Sequence, residues 1–186
     1  MSAQDSKLFV ISGPSGAGKG TLVTRVRERR SNLGLTVSAT TRAPRKGEVD
    51  GVNYFFLTRE EFDRRVANGE FVEWAEVHGN CYGTLVSEVQ SKLASGSSLI
   101  LEIDVQGALQ VKERFPEAVL IFIKPPSLEV LRERLVGRGT ETPETIELRM
   151  ANAADELALA DRYDDVVVND DLDRATDELV RVLDMR

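Results

Sequence analysis

The sequence predicts an α/β fold in which helices flank a central parallel sheet, and three observations support this prediction. Strand-sized apolar runs alternate with amphipathic segments along most of the 186 residues, which is the pattern of successive βα units. The runs at 98–103 and 118–123 are apolar almost throughout, as expected of strands that are covered on both faces. A glycine-rich turn joins the first apolar run to the first helical segment.

Each element follows from its local pattern. An apolar strand is predicted at 8–11, and a helix of about 19–30 follows the glycine-rich turn. A second strand is predicted at 35–38. The texture then changes from Arg42 to Gly96, where short mixed segments predict an insertion beside the sheet. The remaining elements are the two apolar runs, a short strand at 166–168, and helices at 107–114, 127–136 and 172–183.

The composition excludes or disfavours several classes of protein. Hydrophobic residues make up 41% and charged residues 30%, an ordinary globular mix that disfavours a disordered chain. The net charge of −7 disfavours a nucleic-acid partner. The longest apolar runs are too short for a membrane span, and residues 1–7 show no secretory signal. One cysteine and one histidine leave no zinc cluster. A cytoplasmic protein without a membrane or nucleic-acid partner is expected, and the sequence carries no signal for its oligomeric state.

The glycine-rich turn is a phosphate-binding motif. Its residues are Gly13, Pro14, Ser15, Gly16, Ala17, Gly18, Lys19, Gly20 and Thr21. Glycines allow successive backbone N–H groups to point at phosphate oxygens, and the start of the helix adds partial positive charge. Lys19 supplies a cation for the β- and γ-phosphates. The alternative is a glycine-rich turn with a surface lysine, but the strand before it and the helix after it favour binding of a nucleotide phosphate.

One position departs from the usual motif. The hydroxyl residue that ordinarily follows the lysine is replaced by Gly20, and Thr21 comes one place later. Because glycine offers no side-chain ligand, we expect the Mg²⁺ that accompanies the nucleotide to be bound mainly by nucleotide phosphates and water. No protein metal ligand is assigned, and Thr21 is expected to contact phosphate.

A second anion site is indicated at 38–56. Arg42 and Arg45 lie three residues apart in a turn that Pro44 stiffens, and guanidinium forks suit a phosphate dianion. Tyr54 offers a neutral donor to the same group. From these residues alone, a solvated charged loop is an equal alternative.

The segment 38–56 reads Ser-x-Thr-Thr-Arg-x-Pro-Arg-x-Gly-Glu, followed by Gly51 and by Tyr-x-Phe. This pattern closely resembles the acceptor-binding segment of guanylate kinases. The resemblance continues in order with Glu73, Tyr82-Gly-Thr84, Glu102-Ile-Asp-Val-Gln-Gly107, Gly137-Arg-Gly-Thr-Glu-Thr142 and Asn169. It therefore extends over nearly the whole chain, and six motifs in order are highly specific.

The resemblance implies a P-loop NTPase-type parallel sheet with an inserted GMP-binding α+β subdomain and a lid. It divides the single domain 1–186 into a core of 1–37, 97–136 and 150–186, an insertion of 38–96 and a lid of 137–149. The implied activity is the ATP-dependent phosphorylation of GMP to GDP in purine nucleotide metabolism, with dGMP as a further acceptor and Mg²⁺ as the cofactor.

The resemblance also assigns roles to residues. The GMP phosphate is expected to bind Arg42, Arg45, Tyr54 and Tyr82, with Glu48 in the same site. Guanine is expected to contact Ser38, Glu73, Thr84 and Asp104. The expected catalytic residues are Lys19, Arg134, Arg138 and Arg149, and Asn169 is expected near adenine. Since a nucleotide phosphate is already anionic near neutral pH, no general base is required.

These assignments agree with the chemistry of the base. A carboxylate such as Glu73 accepts from guanine N1–H and the exocyclic amine, and the Thr84 hydroxyl can donate to O6. Adenine has the opposite pattern and is rejected. The alternatives are an ordinary edge-strand carboxylate for Glu73 and a helix cap for Asp104. For the whole chain they are an interaction module without catalysis, or a P-loop kinase with another acceptor.

Overall fold

The computed structural model describes residues 6–77, 79–137, 139 and 142–186, and among these residues it has nine strands and seven α-helices. The strands are β1 (Leu8–Ser12), β2 (Leu33–Leu35), β3 (Ala39–Thr40), β4 (Phe55–Phe56), β5 (Phe71–Val77), β6 (Asn80–Leu85), β7 (Ser98–Glu102), β8 (Val119–Lys124) and β9 (Asp165–Val168). The helices are α1 (Lys19–Arg29), α2 (Arg59–Ala67), α3 (Val86–Ala94), α4 (Val105–Arg114), α5 (Leu128–Gly137), α6 (Pro143–Leu157) and α7 (Leu172–Met185). None of the helices described is both long enough and apolar enough to cross a membrane.

The central sheet confirms the predicted α/β fold. Its five strands are all parallel and follow the order β2-β7-β1-β8-β9. Because parallel strands end at the same edge of a sheet, the segments that follow β1 and β7 lie side by side at its carboxyl edge. The sheet therefore brings the phosphate-binding motif next to residues that are more than 80 positions away, since Phe9 pairs with Ile100.

Alternation along β1 explains why this strand is apolar throughout. Phe9 and Ile11 face a core formed with α1 and α7, whereas Leu8 and Val10 face a second core formed with α4. Successive side chains of a strand point to opposite faces. A strand buried on both faces must consequently be apolar at every position, which is the pattern that predicted it.

The insertion has a sheet and a core of its own. Its strand order is β4-β3-β6-β5, with β3 parallel to β4 and antiparallel to β6. Phe62 from α2 stacks on Phe71 at a centroid distance of 4.3 Å, and both pack with buried Cys81. A separate cluster of apolar side chains supports this sheet beside the main one.

The strand predicted at 35–38 is wrong. The structure ends β2 at Leu35, and residues 36–38 run without strand pairing into the insertion. The physical reason lies in their hydrogen bonds, because the Val37 N–H and the Leu35 carbonyl both bond to side chains of α3 rather than to a strand. The local sequence at 35–38 did not reveal that the partner of this segment is a helix.

Candidate active site

The phosphate-binding loop follows β1 and needs glycine at two positions in particular. Gly13 has φ of 140°, and a Cβ there would lie 2.3 Å from the Ile123 carbonyl oxygen. Gly18 has φ of 91°, and a Cβ there would lie 2.4 Å from Asn169 Nδ2. A side chain at either position would strain the backbone and collide with its neighbour. The first turn of α1 carries no acidic residue, so its partial positive charge remains available to an anion.

Lys19 lies across this loop. Its ammonium donates to the Gly13 carbonyl at 2.6 Å and to the Pro14 carbonyl at 3.1 Å. The side chain is half-buried, so the cation stays at the mouth of the loop. Gly20 and Thr21 follow on the exposed first turn of α1.

Arg134 and Asn169 are joined at the rear of the loop. Arg134, on α5, donates to the Asn169 carbonyl at 2.8 Å, and its other guanidinium nitrogen lies 3.5 Å from the Ala17 carbonyl. The buried Asn169 amide donates to that same Ala17 carbonyl at 2.8 Å. The two residues that the sequence assigned to the transferring phosphate and to adenine therefore both brace the backbone of the phosphate-binding loop.

A second predicted lid arginine reaches the loop from another helix. Arg149 lies within α6 and donates to the Ser15 hydroxyl. The predicted lid ended at 149, but α6 runs from Pro143 to Leu157, so Arg149 is held in the middle of a helix. Arg138, predicted as the third, lies outside the described residues.

The predicted phosphate-gripping residues form one cluster in the insertion. Both oxygens of Glu48 accept from Arg42, at 2.9 and 3.0 Å. The Arg45 backbone N–H donates to Glu48 at 2.6 Å, while the Arg45 side chain is exposed. The Arg42 guanidinium lies 5.4 Å from the centroid of the Tyr54 ring, and that ring meets Tyr82 edge-on at 6.2 Å. Arg42 is thus oriented by an ion pair in which its Nη2 donates to both Glu48 oxygens, and by an aromatic ring.

Glu73, on β5, is buried and lies beside Thr84, which lines the cavity described below. Its side chain accepts a hydrogen bond of 2.8 Å from the Thr84 hydroxyl, and the residue is only 7% exposed. The predicted alternative of an exposed edge-strand carboxylate is therefore wrong. Burial raises the pKa of the Glu73 carboxyl to about 7, while the hydrogen bonds with Thr84 oppose this shift and the nearby Asp104 carboxylate adds to it. A buried carboxyl with raised pKa is a frequent mark of a functional site.

Asp104 caps α4, as one of its two predicted roles required. Its side chain accepts from the Gly107 N–H at 2.8 Å. A Cβ at Gly107 would lie 3.3 Å from Glu73 Oε2 and 3.5 Å from Asp104 Oδ1. Because Gly107 has no side chain, the Glu73 and Asp104 carboxylates can both lie close to the first turn of α4.

A cavity of about 290 Å³ lies between the insertion and the central sheet. Its lining includes Ser38, Tyr54, Thr84 and Glu102. Glu102 also borders the phosphate-binding loop, because a Cβ at Gly20 would lie 3.4 Å from its carboxylate. Partial burial raises the pKa of the Glu102 carboxyl, and the nearby Lys19 ammonium partly opposes that shift. The cavity and the loop are consequently neighbours that share this carboxylate.

No role was predicted for Glu102 from the sequence, although its position in the predicted sheet could have indicated one. It ends an apolar strand, and α/β proteins place ligand-facing groups at that position. The sequence also did not show that Glu48 pairs with Arg42. That pairing depends on the path of the turn at 43–47.

Comparisons with known proteins agree with this geometry. The sequence model of the family described as Guanylate kinase matches residues 5–186. The chain is 52% identical over 183 residues to guanylate kinase of Halalkalibacterium halodurans, covering 98% of this chain and 90% of the relative. It is 57% identical over 178 residues to guanylate kinase of Gloeobacter violaceus, covering 96% and 87%. The crystal structure of guanylate kinase from Anaplasma phagocytophilum aligns with a TM-score of 0.73 at 37% identity, covering 97% and 85%. The chain therefore belongs to the guanylate kinase family.

Proposed function

We propose that this chain transfers the γ-phosphoryl group of ATP to the phosphate of GMP, forming ADP and GDP, and that dGMP is a second acceptor. The observation that carries the proposal is the shared boundary at Glu102 between the acceptor cavity and the phosphate-binding loop. In-line phosphoryl transfer requires two anionic groups side by side. Family membership supports the same reaction.

The residues of this chain supply positioning and charge rather than covalent chemistry. Backbone N–H groups of the loop and the Lys19 ammonium bind the terminal phosphates of ATP. Arg134 and Arg149 approach the loop from α5 and α6, where their guanidinium groups stabilise the charge of the transferring phosphoryl group.

Arg42 and its neighbours bind the GMP phosphate. Both Glu48 oxygens are occupied by Arg42 and the Arg45 N–H, so we assign Glu48 the task of orienting Arg42 rather than of contacting the nucleotide. The side chains of Arg45, Tyr54 and Tyr82 donate further hydrogen bonds to the GMP phosphate.

Guanine recognition requires one hydrogen bond to change partner. The Thr84 hydroxyl donates its only proton to Glu73 in the free protein. When guanine enters, its N1–H and exocyclic amine donate to the Glu73 carboxylate, and the Thr84 hydroxyl turns to donate to O6. Ser38 and Asp104 lie at the cavity wall and at the start of α4, within the same region.

Mg²⁺ is the proposed cofactor, and the chemistry of the donors fits it. Gly20 offers no ligand, but the Glu102 carboxylate borders the same turn, and carboxylate oxygen and water are the ligands that Mg²⁺ prefers. Glu102 would hold the ion through water, and Thr21 remains assigned to phosphate. When bound, the ion neutralises charge on the β- and γ-phosphates.

A coupled assay of ADP release with GMP, dGMP, AMP, CMP and UMP tests the proposed function. We expect rapid turnover with GMP, slower turnover with dGMP, and activity with AMP lower by about 10³-fold or more, because AMP leaves the Glu73 carboxylate unpaired. Equal use of AMP would contradict guanine recognition. The absence of ATP binding by calorimetry, together with no ADP release, would instead indicate an interaction module.

The affinity for GMP should depend on pH through Glu73. Its pKa of about 7 means that the carboxyl is protonated at lower pH, and a protonated carboxyl cannot accept from both guanine donors. We therefore expect the KM for GMP to fall as the pH rises from about 6 to 8 and to level off above 8, with a change of at most about tenfold per pH unit.

The measurement compares the KM for GMP with the KM for ATP across this range. The ATP value corrects for general effects of pH on the protein, and Glu73→Gln should remove the Glu73 step and leave only the ionisation of the GMP phosphate. A KM for GMP whose pH profile is the same in the parent and in Glu73→Gln would contradict the assignment.

A further inference from the structure

The segment 35–38, which joins the central sheet to the insertion, is held by two side chains of α3. The Glu88 carboxylate accepts from the Val37 N–H at 3.0 Å, and the Lys92 ammonium donates to the Leu35 carbonyl at 2.6 Å. The same Glu88 oxygen lies 2.9 Å from the Lys92 ammonium. Glu88 and Lys92 are one helical turn apart, so a single face of α3 holds the segment. We name this arrangement the α3 clamp.

Both side chains of the clamp are partly buried, and the helix that carries them is anchored in the core. The Glu88 side chain is 15% exposed and the Lys92 side chain 35%, and the intervening Val89 is fully buried. A hydrogen bond to a charged group in such a setting is stronger than one at an exposed site. The clamp therefore fixes the Val37 N–H, which lies outside strand pairing, and the carbonyl of Leu35, the last residue of β2.

The same segment forms part of the wall of the acceptor cavity, because Leu35, Thr36 and Ser38 all line it. Fixing the Leu35 carbonyl and the Val37 N–H fixes the path of the backbone that carries these residues. The Ser38 carbonyl is also bonded, by the Phe55 N–H at 2.9 Å. The position of Ser38 toward the nucleotide thus depends on α3 as well as on the insertion's own sheet.

We infer that Glu88 and Lys92 are positioning residues that organise the Thr36–Ser38 wall before GMP binds, and so set the affinity for the acceptor without contacting it. The inference rests on the proposed function only in taking GMP as the acceptor. Without the clamp, the segment would have to become ordered when GMP binds, and the free energy of ordering it would weaken the affinity for GMP. ATP binds at the loop after β1 and would not bear this cost.

Steady-state kinetics of three variants test the inference. Glu88→Ala removes the acceptor for the Val37 N–H, and we expect the KM for GMP to rise by about tenfold, the usual effect of losing a charge-assisted hydrogen bond. Lys92→Met removes the bond to the Leu35 carbonyl and should raise it by about fivefold. Glu88→Gln keeps a carbonyl oxygen for the Val37 N–H and should restore the KM to within about threefold of the parent. The kcat and the KM for ATP should stay within about twofold throughout.

Gln90→Ala is the matched control, because Gln90 is an exposed residue of the same helix. It should leave all three constants unchanged. An unchanged KM for GMP in folded Glu88→Ala and Lys92→Met would overturn the inference, and so would a parallel rise of both KM values, which indicates general damage. Failure of the proposed function is distinguishable, since the unmodified chain would then release no ADP with GMP.

Hydrogen exchange on the unmodified chain provides a test that needs no variant. If the clamp organises the segment in advance, the Val37 amide is protected without nucleotide, and GMP increases its protection by less than about threefold. Protection that arises only when GMP is added would show that the nucleotide itself orders the segment, and would refute the inference even if the variants failed to fold.

Discussion

Lys19→Ala is expected to lower kcat by about 10³-fold or more while the protein stays folded. Removing a single preorganised donor from the site of developing charge commonly costs 10² to 10³ in kcat, and Lys19 contributes a full cation. Its ammonium already lies at the mouth of the loop, on the Gly13 and Pro14 carbonyls. Because the side chain is half-buried and outside the apolar cores, its loss should change the free energy of unfolding by only about 1 kcal/mol.

Two further variants separate charge from geometry. Lys124→Ala removes an exposed lysine from the carboxyl end of β8, at the same edge of the sheet, and should retain the activity of the parent. Lys19→Arg keeps the positive charge but replaces a compact ammonium with a planar fork, so it should recover little of the lost kcat. The measurements are kcat by coupled assay and thermal unfolding by circular dichroism. A folded Lys19→Ala protein with the kcat of the parent would remove Lys19 from the mechanism.

Local chemistry explains why the phosphate-binding loop was predictable from sequence. The constraints on Gly13 and Gly18 arise from their own φ angles and from a short strand–turn–helix connection. The strand before the loop and the helix after it were predicted to within one residue of β1 and α1. The φ angles and the strand–turn–helix connection depend on neighbours in the chain, which a sequence displays directly. The close approaches of Ile123 to Gly13 and of Asn169 to Gly18 come from distant residues and were not visible in it.

Contacts between distant residues explain what the sequence did not show. The bond that ends β2 at Leu35 joins Val37 to Glu88 across 51 positions, and Arg134 reaches the Asn169 carbonyl across 35. The Leu-Thr-Val-Ser segment at 35–38 was predicted as a strand, but beyond Leu35 its backbone bonds to a helix. Tertiary contacts overrode local propensity at that point.

Glu73→Gln is expected to lower kcat/KM for GMP by about 10² to 10⁴-fold without a matching loss for AMP. The amide has nearly the shape of the carboxylate but brings an NH₂ group where guanine presents two donors of its own. One guanine donor would then face another donor in a buried site, and the mismatch costs more than the loss of one hydrogen bond. The ratio of kcat/KM for GMP to that for AMP is the quantity to measure.

Glu73→Gln should lose guanine selectivity without losing stability, so a loss of activity toward GMP would not be caused by unfolding. The Glu73 carboxyl is buried and its pKa is raised to about 7, so the parent already bears the cost of burying a charge at higher pH. Glutamine is neutral and can still accept from the Thr84 hydroxyl, and the variant should therefore be at least as stable as the parent above pH 7. Glu76→Gln, an exposed position on the same strand, should preserve guanine selectivity. If Glu73→Gln were as selective for guanine as the parent, base recognition would have to reside in Thr84, Ser38 and Asp104 alone.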